Sequence, residues 1–333
     1  MPIQFPENIY GPQKRIDIKI LAADQGIFRM SFDFDPGPLL KSIKETGLLN
    51  PPIVYPGENG IMDIVCGYRR IFALKELGCT SIPCVVLPGS LSREKCMLLN
   101  FYDNVATRSL NPVEKAMSCS RLSSLFPRRE VLSRFMPDLG LPSHEPTLDL
   151  YRAIDTELDD HIKHAVASGR MPVKSVEGLL DFPHEDRLAL CDLFSKIKFN
   201  INQQLQIFDL ISDITLRDHK PVSELIGEDT FKKVLEDEAM NTPQKARAFL
   251  DCCRRIRYPV LYRAEKRFKS EIDSLKLPRE VEIADPEHFE PSEFKMEIRF
   301  KNGAHLKKVI QRLLGLPLEK VARPWDGDAD DVI

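Results

Sequence analysis

The stretch that most constrains this chain is Met62–Leu77, MDIVCGYRRIFALKEL. A short apolar run, Ile64, Val65 and Cys66, meets Gly67 and the pair Arg69 and Arg70. Ile71, Leu74 and Leu77 then recur at helical spacing until Gly78. The pattern predicts a strand, a glycine turn and a helix start in direct succession. Such a junction turns unbonded backbone N–H groups outward, and glycine admits a ligand close to the chain. Two arginines in a first helical turn oppose the helix dipole, a cost that a phosphate gripped by their forked guanidinium groups would offset. The same residues also fit a plain strand–helix junction with two solvated arginines, so the motif alone leaves both readings open.

The flanks of the junction read as a mixed domain. Ile16, Ile18 and Ile20 alternate with polar residues, predicting a strand over Ile16–Leu21, and Ile27–Phe34 is a second candidate. Leu39–Glu45 reads as a short helix ended by Gly47. Ile53–Tyr55 and Met62–Cys66 read as strands joined by a turn over residues 56–60, and Ile82–Leu87 as another strand. Ser92–Asn100 and Asn111–Leu122 read as helices, the latter with Asn111 as N-cap, Pro112 at the first helical position and Glu114 at the third. From about Glu130 to Leu250 only helical patterns occur, Ile201–Ile214 and Val222–Glu238 among them.

The last part returns to a mixed pattern. Leu261, Ala264, Phe268, Ile272 and Leu275 form a helical stripe, and Val281 and Ile283 alternate. Phe294, Met296, Ile298 and Phe300 alternate with charged residues, and Leu306, Val309, Ile310, Leu313 and Leu314 make a second helical face. A helix–strand–strand–helix unit of about sixty residues is marginal for a lone core and gains by pairing with a copy of itself.

Composition excludes more than it assigns. A chain of 333 residues has room for two or three cores, and a net charge of −3 provides no global field toward nucleic acid or membrane. No apolar run approaches a membrane span, and MPIQFPENIY lacks a signal-peptide pattern. None of the eight cysteines sits in a Cys-x-x-Cys pair, which favours reduced core thiols in a cytoplasmic chain. His161 and His164, spaced i, i+3, have no third ligand nearby in sequence and read as solvated. Lys245 to Lys269 carries nine basic residues against two acidic ones and, interrupted by Pro259, reads as a basic linker or a helix start.

Three blocks together carry a family resemblance. Ser42-Ile43-Lys44-Glu45-Thr46-Gly47-Leu48-Leu49-Asn50-Pro51 is followed by Gly67-Tyr68-Arg69-Arg70. Asp103-Asn104-Val105 then leads to Leu110-Asn111-Pro112-Val113-Glu114-Lys115-Ala116. In order and spacing they closely resemble the N-terminal domain of ParB partition proteins. The resemblance implies a ParB/sulfiredoxin-type α+β domain that binds CTP with magnesium. Ser42, Gly47, Pro51, Gly67, Tyr68, Arg69, Arg70, Asp103 and Asn104 would line the nucleotide site, and Asp103 and Asn104 would meet the magnesium ion. Three residues depart from the family pattern. Tyr68 stands where a glutamate implicated in hydrolysis is usual, Asp103 replaces a glutamate, and Thr107 stands where an arginine ends the block. A tyrosine is no carboxylate base near neutral pH, so binding survives the comparison better than turnover; CTP hydrolysis stays open, with Asp103 the catalytic candidate that the resemblance implies.

The middle region resembles the family's helix-turn-helix. Val131–Leu139, a turn at Gly140-Leu141-Pro142 and Glu145–Ile154 read as the motif, and Ser168-Gly169-Arg170-Met171-Pro172 echoes a phrase that follows it in the family. The resemblance implies double-stranded DNA as partner, with Ser143, His144, Thr147, Arg152, Arg170, Arg128 and Arg129 as contact residues. The expected organisation is a nucleotide-binding domain over 1–120 and a helical DNA-binding domain over 121–243. A basic linker over 244–260, an αββα dimerisation domain over 261–320 and an acidic tail over 321–333 follow. By resemblance this is a homodimeric, CTP-gated DNA clamp for chromosome or plasmid partition, nucleoid-associated in the cytoplasm and served by a ParA-like ATPase. The fold also occurs in nucleases and nucleotide-dependent kinases, and a dimeric DNA-binding adaptor or transcriptional regulator without nucleotide is the third alternative. Sulfiredoxin chemistry does not fit, because Cys66 precedes Gly67 rather than following it.

Overall fold

The computed structural model describes residues 11–22, 26–284, 294–318 and 321, and the chain divides into two compact units, Met1–Lys196 and Ile197–Ile333. The first unit is built on a four-stranded mixed sheet in the order β1 (Gln13–Asp17), β4 (Ser81–Val86), β2 (Ile53–Pro56), β3 (Met62–Cys66). β1 runs antiparallel to β4, β4 parallel to β2, and β2 antiparallel to β3 with a bulge at Ile53/Val54. Val54, Ile64, Ile82 and Cys84 alternate inward from the strands and meet Ile71 and Leu74 of α2 (Tyr68–Glu76) to form the sheet's core. α1 (Gly37–Thr46) packs on α2, and α3 (Arg93–Thr107) packs on β3.

α4 (Pro112–Leu125) starts as the sequence predicts. The Asn111 side chain accepts from the Glu114 N–H, the Glu114 carboxylate accepts from the Asn111 N–H, and Pro112 occupies the first turn. A nearly continuous helical segment follows, made of α5 (Arg128–Glu130), a π-helical turn over Val131–Phe135 and α6 (Met136–Asp138). Gly140 at φ +66° turns the chain toward α7 (Glu145–Thr156). α8 (Asp160–Ala167), α9 (Val173–Leu180) and α10 (His184–Lys196) complete the unit. α4 packs against both α7 and α8, and Phe101 of α3 meets Phe135 edge-on at 5.3 Å. Residues 121–196 fall in the same compact unit as the sheet.

The strand expected over Ile16–Leu21 keeps only Ile16 and Asp17 in β1 before a 3-10 turn over Ile18–Ile20, and the one expected over Ile27–Phe34 is absent. Residues 26–34 form a turn and an irregular strap, because their backbone groups bond to side chains rather than to a neighbouring strand. Met30 O accepts from Arg108, Phe32 N–H donates to Glu114, and Phe32 O accepts from Asn111. Asp33 holds φ +51°, which no strand ladder accommodates.

The second unit begins with four helices, α11 (Ile201–Asp218), α12 (Val222–Ile226), α13 (Asp229–Glu236) and α14 (Thr242–Arg257). Gly227 splits the single helix expected over Val222–Glu238. Most of the expected basic linker is helix as well. α14 opens with an Asn241–Gln244 capping box and buries Ala246, Phe249, Leu250 and Cys253, so the apolar stripe beneath the charges decides its structure. The chain breaks only at Tyr258–Pro259. α15 (Pro259–Ser274), β5 (Val281–Ala284), β6 (Lys295–Ile298) and α16 (Gly303–Leu313) then follow, β5 antiparallel to β6. Ile283 packs on Ala264 and Phe268 of α15, Val281 packs on Val309 and Leu313 of α16, and Phe294 stacks on Phe268 at 5.5 Å. Except for Val321, the expected acidic tail lies outside the described residues.

Candidate functional site

The Gly67 junction opens onto a cavity of about 620 Å3, a volume suited to a nucleotide-sized ligand. Gly67 stands at φ +96°, a left-handed conformation that glycine adopts at low cost, and a Cβ there would come within 3.1 Å of the Arg70 guanidinium. The turn brings β3 straight into α2, whose first residues, Tyr68, Arg69 and Arg70, line the cavity. α3 crosses the end of β3 and adds Asn100, Asp103, Asn104 and Thr107 to the same wall. Segments more than thirty residues apart in sequence thus converge, because buried Asn100 donates to the carbonyl of Val65 on β3 and docks α3 there.

The two arginines have different surroundings. Arg70 donates to the Asn50 carbonyl at 2.6 Å and lies 4.0 Å from the Asp103 carboxylate, which is 41% exposed. Arg69 pairs with Glu114 at 2.7 Å and lies over the Phe34 ring at 4.9 Å. Glu114 is almost wholly buried and also receives Arg108 at 2.6 Å. Arg108 lines the cavity, donates to the Asn104 amide oxygen at 2.8 Å, and has its pKa lowered by burial against the opposing pull of Glu114. Sequence reasoning missed both Arg108 and the hub role of Glu114. The available signal was spacing: Asn100, Asn104 and Arg108 recur every four residues along α3 and its C-cap, and Asn104 donates to the Asn100 carbonyl at 2.8 Å.

Of the predicted nucleotide residues, Pro51, Gly67, Tyr68, Arg69, Arg70, Asp103 and Asn104 line the cavity, while Ser42 and Gly47 do not. Ser42 is exposed on α1, and Gly47 at φ +75° ends that helix with open space around it, so its conformation explains the glycine without a ligand. The Tyr68 ring packs on the core beneath the sheet and its hydroxyl is buried beside Gly26, which leaves the cavity open. Burial, with Asp63 nearby, pushes its phenol above the ordinary range. Cys66, also at the wall, is raised by burial and by the adjacent Asp103. Among the described residues no group of three His, Cys, Asp or Glu side chains converges on a point. Asp103 offers a carboxylate to a magnesium ion shared with phosphate, whereas the Asn104 oxygen is already engaged by Arg108.

The predicted DNA-contact residues divide between two places. Arg128, Arg129 and Ser143 line a groove of about 460 Å3 with Glu145, between the α5 segment and the start of α7. Arg128 is paired with Asp149 at 2.7 Å and Glu145 at 3.4 Å, and the bond from Arg128 lowers the Asp149 carboxyl below its ordinary range. His144 is exposed and immediately precedes α7, Thr147 is half-buried in its first turn, and Arg152 is exposed farther along it. Arg170 is exposed on the turn after α8, where it donates to Ser168 at 3.0 Å. His161 pairs with Asp192 and His164 with Asp33, so the two histidines serve different contacts.

Residues 14–104 match the family model of the ParB N-terminal domain. A probable chromosome-partitioning protein ParB of Pseudomonas putida is 28% identical over 159 residues, 47% of this chain and 52% of the relative, so the chain spans about half the length of that protein. Two solved structures of the C-terminally truncated chromosome-partitioning protein ParB from Caulobacter crescentus also match. One is complexed to the centromeric parS site, with TM-score 0.31 and 20% identity, covering 57% of this chain and 96% of that one. The other is complexed with CTP-gamma-S, with TM-score 0.25 and 23% identity, covering 55% and 99%.

Proposed function

Given that this chain belongs to the ParB family, we propose that it is a dimeric DNA clamp gated by CTP and acting in chromosome or plasmid partition. The observation that carries this reading is the single cavity shared by Gly67, Arg70, Asp103 and Arg108. Free N–H groups at the start of α2, two guanidinium groups and one carboxylate suit a triphosphate with magnesium. Arg70 and Arg108 would grip phosphate oxygens, and Asp103 would share the metal with them. Arg69 would act at one remove, through Glu114.

The nucleotide serves as a gate more than as a substrate. A buried phenol pushed above its ordinary range cannot take a proton near neutral pH, which leaves Asp103 as the one carboxylate among the described lining residues. DNA would meet the groove between α5 and α7, and breaking the Arg128–Asp149 pair would free that arginine for phosphate. The subunits would associate through the αββα element, where Met296, Phe300, Ile310 and Leu314 are exposed. Gating is a population shift, since nucleotide must bind the closed state better than the open one.

The test is calorimetric titration with CTP, ATP and GTP in magnesium, on wild type, Arg70→Ala and Asp103→Ala. Expected are selective binding of CTP and at least a tenfold loss for Arg70→Ala, the size of one charge-assisted contact. Equal, weak binding of all three nucleotides by every protein overturns the reading.

A further inference from the structure

The strap of residues 30–34 has no strand partner, yet every residue in it is tied to something. Arg108 donates to the Met30 carbonyl at 2.8 Å and reaches the Ser31 hydroxyl at 3.4 Å. The Phe32 N–H donates to Glu114 at 3.2 Å, and Asn111 donates to the Phe32 carbonyl at 2.9 Å. The Phe34 ring supports Arg69. Met30, Ser31 and the backbone of Phe32 thus bond to the arginine hub and α4, while the Phe34 ring also meets Phe72 of α2 edge-on at 5.4 Å. Asp33 points the other way, to Nδ1 of His164 on α8 at 3.1 Å, and the His164 ring packs on Phe32 with centroids 4.7 Å apart.

From this arrangement we propose that His164 is a positioning residue for the cavity: through Asp33 and Phe32 it holds the strap that orients Arg69 and Arg108. The proposal rests on the nucleotide reading above and adds the element that controls the site. Asp33 sits at φ +51°, a backbone conformation disfavoured for a non-glycine residue, so the strap needs an external contact to keep its shape. His164 provides that contact from a helix of the region that carries the groove at α7. Coupling of this kind is reciprocal, so whatever shifts α8 changes the grip on an anion in the cavity, and a bound anion biases α8 by the same factor.

The experiment uses the full chain as wild type, His164→Ala and His164→Asn, the last keeping an amide donor close to the position of Nδ1. Hydrogen exchange without ligand reads the strap, titration with CTP and magnesium reads the cavity, and amides of β4, in the same compact unit, serve as the folding control. In His164→Ala, exchange over residues 30–34 should rise severalfold and CTP affinity should fall about fivefold, the size of one partly exposed hydrogen-bonded pair. His164→Asn should restore both to within about twofold. Unchanged strap exchange overturns the proposal, and so does faster exchange with unchanged CTP affinity. A wild type that binds no CTP overturns the nucleotide reading and this one together, whereas binding that His164→Ala leaves intact overturns this one alone.

Discussion

Replacing Glu114 by glutamine tests whether one buried carboxylate organises the site. Its Oε1 accepts from Arg69 and from the Phe32 N–H, and its Oε2 accepts from Arg108 and from the Asn111 N–H. A glutamine can accept with one of those atoms only. In either orientation its NH2 faces two donors, and two guanidinium groups lose their shared counter-charge. Breaking a buried ion pair from one side costs about 3–5 kcal/mol. Asn111→Ala leaves the ion pairs in place but removes the side-chain half of the capping box and the bond to the Phe32 carbonyl, which together cost about 2 kcal/mol. Thermal unfolding followed by calorimetry should therefore separate the two variants by about 6 °C, at roughly 2–4 °C per kcal/mol for a unit of this size. A Glu114→Gln protein that melts no lower than Asn111→Ala would refute the hub, showing both arginines to be solvated and indifferent to the charge.

Gly67→Ala should lower stability by about 1–2 kcal/mol from the left-handed backbone and weaken CTP binding by displacing Arg70; unchanged titration curves would contradict that geometry. Iodoacetamide at pH 8 should label Cys79 and Cys252, which are partly exposed, well before the buried Cys66, Cys84, Cys96, Cys119, Cys191 and Cys253, as mass spectrometry of digests would reveal. Burial pushes Cys84 and Cys191 up to about 11 and Cys96 and Cys119 up to about 12. The folded state thus keeps protons that the unfolded chain releases. Stability from these thiols is complete below the ordinary thiol value and declines as pH rises from there through about 12, so the urea midpoint should fall steadily across the alkaline range. Ile310→Glu combined with Leu314→Glu should convert the proposed dimer into a monomer in sedimentation velocity, because these side chains are 42% and 79% exposed on one face of α16 and its C-cap. An undiminished dimer would move the interface elsewhere.

Local patterns determined the parts of this protein whose causes are local. The β3–Gly67–α2 junction, the Asn111–Glu114 capping box, the helical middle and the αββα element follow from alternation, helical spacing and the residues that start and stop helices. Their physics acts within a few residues. Where the structure departs from the local pattern, a longer-range partner decides. Residues 26–34 alternate like a strand, but their backbone groups found Arg108, Glu114 and Asn111 instead of a ladder. The charges around α14 leave a linker or a helix start open, and four buried side chains on its other face decide for a helix in a core. At the site, the sequence told which residue types were present and in what order, and so named Gly67, Arg70 and Asp103. Tertiary structure alone decided that Arg69 turns to a buried carboxylate, that Arg108 enters the cavity beside Asn104, and that Ser42 stays outside. Each of those outcomes depends on where a side chain's charge or hydrogen-bonding group finds its complement, and that is fixed only when distant segments pack together.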